Sequence, residues 1–325
     1  MQNLAIVGLG RWGRVLVDSV QGKSATVRFT AAVGRDPAAT AEHAKPRGLA
    51  VLPDLAAALA DSSIHGIVLA TPHSRHAAEI AQCAAAGKAV MVEKPFTLTR
   101  ATAEAALAAA QRGGIIVAAA HNRRFLPALD TMKAMIDEGR LGTLLHLEGN
   151  FSGNVVGRYT NEMWRVAPGE SPAGGLAGSG IHMIDTMIRL AGPMVRVFAQ
   201  SSRRVHSVPL DDTTSALLTH ASGVTGSLNM MTATTPTFRL SAFGTKARAD
   251  LTNAETLVFT PVEGAATTKL FDKFDIERAE LEAFAAAIAG TTPYPITWPE
   301  ILNGVAVFEA VSRSIEAGGP VTISA

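Results

Sequence analysis

Cysteine is nearly absent. Cys83 is the only one in 325 residues, which excludes an internal disulfide and leaves no thiol pair for zinc. A reducing, cytoplasmic setting is the expectation. Aromatic residues reach only 5%, and the abundance of alanine points instead to closely packed small-residue helices. Neither sign of charge dominates. The formal net charge of +1 offers no footprint for nucleic acid or for an anionic membrane surface. No apolar run approaches the roughly 20 residues that span a bilayer. The apolar run at the N-terminus leads straight into a glycine turn without a basic leader, so no signal peptide is read. These gaps leave a small-molecule substrate as the expected partner, with no nucleic acid and no membrane.

What the chain does have is length and apolar content. Hydrophobic residues make up 47%, and 325 residues exceed one ordinary core, so two domains are expected. Leu4-Ala5-Ile6-Val7 reads as a buried strand. Gly8-Leu9-Gly10-Arg11-Trp12-Gly13 follows at once, and then a helix with Val15, Leu16 and Val20 on one face. Strand, glycine turn and helix in that order form a dinucleotide-binding unit. Gly8 allows the turn, Gly10 lets backbone approach a pyrophosphate at the helix start, and Gly13 lets helix and strand pack closely.

Strand-like and helix-like stretches alternate through the first third. Strands are expected at Val27–Val33, Gly66–Ala70, Ala89–Val92 and Ile115–Ala120, with Ser74 and Thr99 as caps of the intervening helices. This predicts a parallel, doubly wound sheet, an α/β fold, in residues 1–121. Ligands of such sheets lie beyond the C-terminal strand ends, where Thr71-Pro72-His73, Glu93-Lys94-Pro95 and His121-Asn122-Arg123 fall. In residues 122–325 helices are expected at 129–136, 181–190, 276–288 and 299–315. Short β-type runs between Val195 and about Leu270 predict an open, mostly antiparallel sheet, making this an α+β domain.

Several residues are candidates for chemistry. Gly34 ends the second strand where NAD-preferring domains place a ribose-binding carboxylate. The neighbouring Arg35 suits a 2′-phosphate. NADP(H) is therefore preferred, and Asp36, which also reads as a turn residue, keeps NAD(H) possible. Lys94 follows a buried strand and precedes a proline, as a held acid/base would, although the same pattern describes a surface lysine. His182 stands near a helix start with Asp185 on its face, and reads as a proton donor or as a core histidine bonded to Asp185. A metal set of His182 and Asp185 with His206 or Asp211 lacks a compact cluster, so no metal is expected. His73 and His76 flank a strand end and read equally as packing residues. Arg123-Arg124 suit an anionic group or plain solvation, and Trp164-Arg165 offer a stacking face or a cover.

Taken together, the motifs resemble the Gfo/Idh/MocA group of oxidoreductases. They comprise the Gly8–Gly13 turn, Ala70-Thr71-Pro72 with His76, Ala86-Gly87-Lys88 leading to Val92-Glu93-Lys94-Pro95, and Asn122-Arg123-Arg124-Phe125 with Pro127. Gly139-Arg140-Leu141-Gly142 and Gly180-Ile181-His182 with Asp185 complete the set. The resemblance implies an NAD(P)-dependent dehydrogenase acting on a carbinol carbon of a sugar, polyol or similar molecule. It implies Lys94 and His182 as catalytic residues, a Lys94–Pro95 bond that is often cis, and a homodimer or homotetramer formed through the C-terminal sheet. Cofactor contacts are expected from Gly8, Gly10, Arg11, Trp12, Gly13, Arg35, Thr71, Pro72, His76, Glu93, Lys94 and Asn122. Substrate contacts are expected from Lys94, Arg123, Trp164, Arg165, His182 and Asp185. One position departs from the family: the aspartate usual four residues before the histidine is Gly178 here. Asp185 or Glu162 is a candidate replacement. A non-catalytic nucleotide-binding regulator, or a redox-assisted hydrolase or lyase, is the alternative function.

Overall fold

The computed structural model describes residues 1–154 and 156–323. They form two compact units, residues 1–122 with 275–301, and residues 123–274 with 302–325. The first is built on six strands, β1 (Gln2–Val7), β2 (Val27–Val33), β3 (Ala50–Leu52), β4 (Gly66–Leu69), β5 (Ala89–Glu93) and β6 (Val117–Ala120), in the order β3-β2-β1-β4-β5-β6. Every pairing among them is parallel. The order reverses between β1 and β4, and a crevice for a ligand opens at that kind of switch. Strands β4 to β6 are buried throughout, which is why they read as unbroken apolar runs.

The helices of this unit are α1 (Arg11–Val20), α2 (Pro37–Ala44), α3 (Leu55–Ala60), α4 (His76–Ala85) and α5 (Arg100–Gly113). Thr99 caps α5, its hydroxyl accepting the Thr102 N–H. Ser74 does not cap α4. A tight turn, His73–Arg75, precedes that helix, and Arg75 takes the cap position without a side-chain bond. The short α2, α3 and β3 fill a stretch with no clear apolar stripe, and their starts are marked by the Asp36 and Asp54 caps.

The chain returns to the first unit at its far end. Helix α8 (Ile276–Ile288), counted after α6 (Pro127–Asp137) and α7 (Ile181–Ala191), sends Leu281, Phe284 and Ala285 into the core around Leu4, Val20 and Phe29. A Cβ on Gly66 of β4 would meet Ile288 and Phe284, so the helix lies tight on the sheet. Residues 122–325 therefore do not all fall in one unit: Asp275–Ile301 goes with the first.

The second unit carries nine strands, β7 (Leu144–Asn154), β8 (Met194–Ser202), β9 (Thr213–His220), β10 (Thr225–Met231), β11 (Ala233–Gly244), β12 (Ala247–Asn253), β13 (Thr256–Pro261), β14 (Thr267–Leu270) and β15 (Val321–Thr322). Their order is β14-β13-β12-β11-β7-β10-β9-β8-β15. Only β7 and β10 pair in parallel, so the sheet is mostly antiparallel, as expected. Gly149 of β7 lets Met187 and Met183 of α7 approach closely, placing that helix on one face. Along β8 and β9, burial alternates with exposure, as in a sheet with one open face. Helix α9 (Trp298–Ala317) closes the set. Among the described residues no helix is long and apolar enough to cross a membrane.

Candidate active site

The glycine turn of the first unit works by close approach. Gly8 adopts φ +100°, and a Cβ on it would overlap the Ala70 carbonyl. A Cβ on Gly13 would overlap the Gly8 carbonyl, so helix and strand can touch only if both stay bare. Gly10 differs: nothing lies within 4 Å of the place its Cβ would take. It holds the N-cap position of α1 without any side-chain cap, and no acidic residue sits in the first turn. Orphan N–H groups beside open space make a cradle for a phosphate, so these residues fit a dinucleotide. Arg11 is exposed, with its guanidinium 6.0 Å from the Trp12 ring centre.

At the end of β5, Glu93 is 7% exposed and accepts the indole N–H of Trp12 as well as the backbone N–H of Lys94 at 3.2 Å. Burial pushes the Glu93 carboxyl up to about 7, against the pull of Lys94 and both donors, while the Glu277 carboxylate adds to the rise. Lys94 itself is half-buried and its bond to Pro95 is cis. His76, fully buried, clamps two strand-end loops, with Nδ1 3.0 Å from the Pro95 carbonyl and Nε2 3.1 Å from the Thr71 carbonyl. Thr71 donates its hydroxyl to Glu79 at 2.5 Å, and Arg75 pairs with the same carboxylate at 2.7 Å. Burial raises the Glu79 carboxyl despite these donors. The first unit thus gathers Gly8–Gly13, Thr71, His76, Glu93, Lys94 and Asn122 around the ends of adjacent parallel strands. Glu79 belongs to no sequence motif, yet it lies three residues after His76 on the buried stripe of α4.

The end of β2 explains Gly34. A Cβ there would overlap Thr40 Oγ1, and Thr40 is pinned by donating to the Asp36 carbonyl at 2.6 Å. A side chain at position 34, a carboxylate included, would force Thr40 off its bond to Asp36. Asp36 caps α2, accepting the N–H groups of Ala38 (2.9 Å) and Ala39 (3.3 Å). Arg35 stands exposed between them.

In the second unit, His182 lies one residue into α7, 7% exposed, with its ring 5.9 Å from that of Phe151. Phe151 meets Phe238 edge to face at 5.3 Å, and the Arg123 guanidinium lies 5.4 and 5.6 Å from the two ring centres. Arg123 and His182 thus both pack on Phe151. Asp185 has a partner that its spacing does not reveal. Arg124 donates to both of its oxygens, at 2.7 and 2.9 Å, and both side chains are 5% exposed. This buried ion pair fixes the carboxylate one turn along α7 from His182. Arg165 stacks on Trp164 at 4.2 Å and Glu162 is exposed. His206 contacts Thr232 Oγ1 at 2.8 Å and Asp211 accepts from Ser201 at 2.6 Å. No group of three or more metal-ligating side chains is found among the described residues. Gly178 sits in a wide turn, Leu176–Gly180, running into α7, and a Cβ on it would meet nothing within 4 Å.

A doubly wound parallel sheet, a phosphate cradle after its first strand and a buried Glu-Lys-Pro element at its fifth define a dinucleotide-binding oxidoreductase. Residues 2–121 match the model of the oxidoreductase family with an NAD-binding Rossmann fold, and residues 129–250 match the GFO/IDH/MocA C-terminal domain. The chain belongs to the Gfo/Idh/MocA oxidoreductase family. It is 26% identical to the trans-1,2-dihydrobenzene-1,2-diol dehydrogenase of Bos taurus over 74% of this chain and 73% of that protein. It is 31% identical to the D-apiose dehydrogenase of Paraburkholderia graminis over 53% and 45%. A Desulfitobacterium hafniense protein described as an oxidoreductase superposes with a TM-score of 0.91 at 27% identity, covering 99% and 97% of the two chains. Levoglucosan dehydrogenase, solved with NADH and levoglucosan, shares the fold with a TM-score of 0.90 at 20% identity over the full length of both.

Proposed function

We propose that the chain is an NADP(H)-dependent oxidoreductase of a small hydroxylated or carbonyl compound, a sugar or polyol derivative, with Lys94 and His182 as its proton-handling residues. The nucleotide, when bound, supplies the hydride chemistry. The observation that carries the reading is the end of the parallel sheet, where the bare Gly8–Gly13 cradle and the buried Glu93-Lys94-Pro95 element stand on one unit. Glu93 holds the Lys94 backbone N–H and interacts electrostatically with its side chain, so the lysine is held at the strand end. Relatives named for a cyclic diol and for D-apiose support a compound with neighbouring hydroxyls.

The preference for NADP(H) is supported by exclusion at β2. Gly34 offers no carboxylate, and freeing Asp36 for a ribose would undo a helix cap, at about 1 kcal/mol. Self-association through the nine-stranded sheet belongs to the same reading, supported by Phe198 and Leu217, paired across β8 and β9 and both exposed. The test is a panel of sugars and polyols assayed at 340 nm with each nucleotide. Lys94→Ala is expected to lower turnover roughly a hundredfold to ten-thousandfold, the worth of a placed proton-transfer group, with cofactor affinity nearly kept. Unchanged turnover would remove Lys94 from the mechanism, and a clear preference for NAD would defeat the Arg35 assignment.

A further inference from the structure

Asn122 follows β6 on the first unit and is 2% exposed. Its Nδ2 donates to Glu277 Oε1 at 2.9 Å, across 155 residues of sequence. Its Oδ1 is buried and meets no donor among the described residues. Chemistry fixes the orientation of this amide. Turned over, it would set its oxygen against a carboxylate and bury an N–H2 group. Glu277 therefore decides which end of the amide is presented. Folded proteins rarely leave such an acceptor orphaned, so a donor from outside the chain is wanted here. The surroundings say which. Glu277 acts electrostatically on Glu93, and Glu93 binds Trp12 and the Lys94 N–H.

We propose that Glu277 is a positioning residue for the pyridine nucleotide, holding Asn122 so that its Oδ1 accepts a hydrogen bond from the bound cofactor. The donor is the carboxamide N–H2 or a ribose hydroxyl. This rests on the cofactor reading above. It assigns a role to the start of α8, a helix that none of the sequence motifs touches.

The test is titration of the full-length protein with NADPH, followed by nicotinamide fluorescence, beside thermal unfolding without nucleotide. Glu277→Ala frees the amide to turn and is expected to weaken NADPH binding about tenfold, the size of one hydrogen bond. Glu277→Gln keeps an acceptor for Asn122 and should bind almost as the natural chain does. Asn122→Asp sets two carboxylates face to face and should bind poorly. Adding Glu277→Gln to it restores a donor–acceptor pair with an oxygen still facing inward, and should recover affinity. That recovery keeps the test meaningful if Glu277→Ala folds badly, and a role in stability alone would not produce it. The 3-acetylpyridine analogue, which lacks the amide N–H2, separates the donors. If Glu277→Ala no longer matters with the analogue, the carboxamide is the donor; if it still matters, a ribose hydroxyl is. Equal NADPH affinity in the folded Glu277→Ala protein overturns this inference alone. Failure of the natural chain to bind any pyridine nucleotide overturns the cofactor reading, and this inference with it.

Discussion

Gly8 and Gly178 both stand beside residues assigned to chemistry, yet their surroundings are opposite. A Cβ on Gly8 would strike the Ala70 carbonyl, whereas a Cβ on Gly178 would meet nothing within 4 Å. The difference extends to the units that carry them. In the first, backbone shape makes the candidate site, through glycines that must stay bare and strand ends that lie side by side. In the second, side chains brought together across long stretches of sequence do it. Arg124 grips Asp185, 61 residues away, and Arg123 rests on Phe151 and Phe238 beside His182. Gly8 and Gly13 cannot take a side chain without displacing backbone, while Gly178 has open space where one could stand.

The largest expected effect tests the side-chain half. Asp185→Ala leaves the Arg124 guanidinium buried without its counterion, and should cost about 3–5 kcal/mol in denaturant unfolding. A cost below about 1 kcal/mol would show that this unit does not depend on the pair. Next comes a contrast within the backbone half. Gly13→Ala should lose about 1–3 kcal/mol by overpacking against the Gly8 carbonyl. Gly10→Ala should stay within about 0.5 kcal/mol of the natural chain and lose nucleotide affinity instead, because its methyl enters the space left for phosphate. Equal effects of the two on stability would break the cradle assignment.

Glu93 supplies a pH test. Its folded carboxyl is raised to about 7, so the folded state holds a proton that the unfolded chain has already released. Stability should therefore be greatest below the ordinary carboxylate range and fall as pH rises from there towards about 7. Glu93→Gln keeps an acceptor for Trp12 and should flatten that part of the melting-temperature profile. A natural profile already flat across the window would show that Glu93 is not raised. The smallest expected effect is at Gly178→Asp, within about 0.5 kcal/mol in stability, since the position is open. Any change in substrate preference there would mark position 178 as part of the substrate wall.

Much of the first unit was legible because its signals are local. A bare glycine turn after an apolar run, a threonine three residues before the N–H it caps, and three fully buried strands all lie within short windows. Ser74 misled for the same reason: it has the chemistry of a cap, but an intervening turn moves the helix start past it. Asp36 was open between a ribose contact and a turn, and packing gave it a third task, the cap of α2. In the second unit the spacing of His182 and Asp185 suggested a pair, and only the fold brings Arg124 to claim the carboxylate.

From its residues alone this chain had to make an alternating α/β domain with a bare glycine turn after its first strand, because strand, turn and helix preferences act over a few neighbours. Folding in three dimensions decided the rest: that α8 returns to the first sheet, that Glu277 orients Asn122, and that Asp185 serves Arg124. Those choices rest on burial and on hydrogen bonds between groups far apart along the chain, and no local pattern encodes which distant partner will arrive.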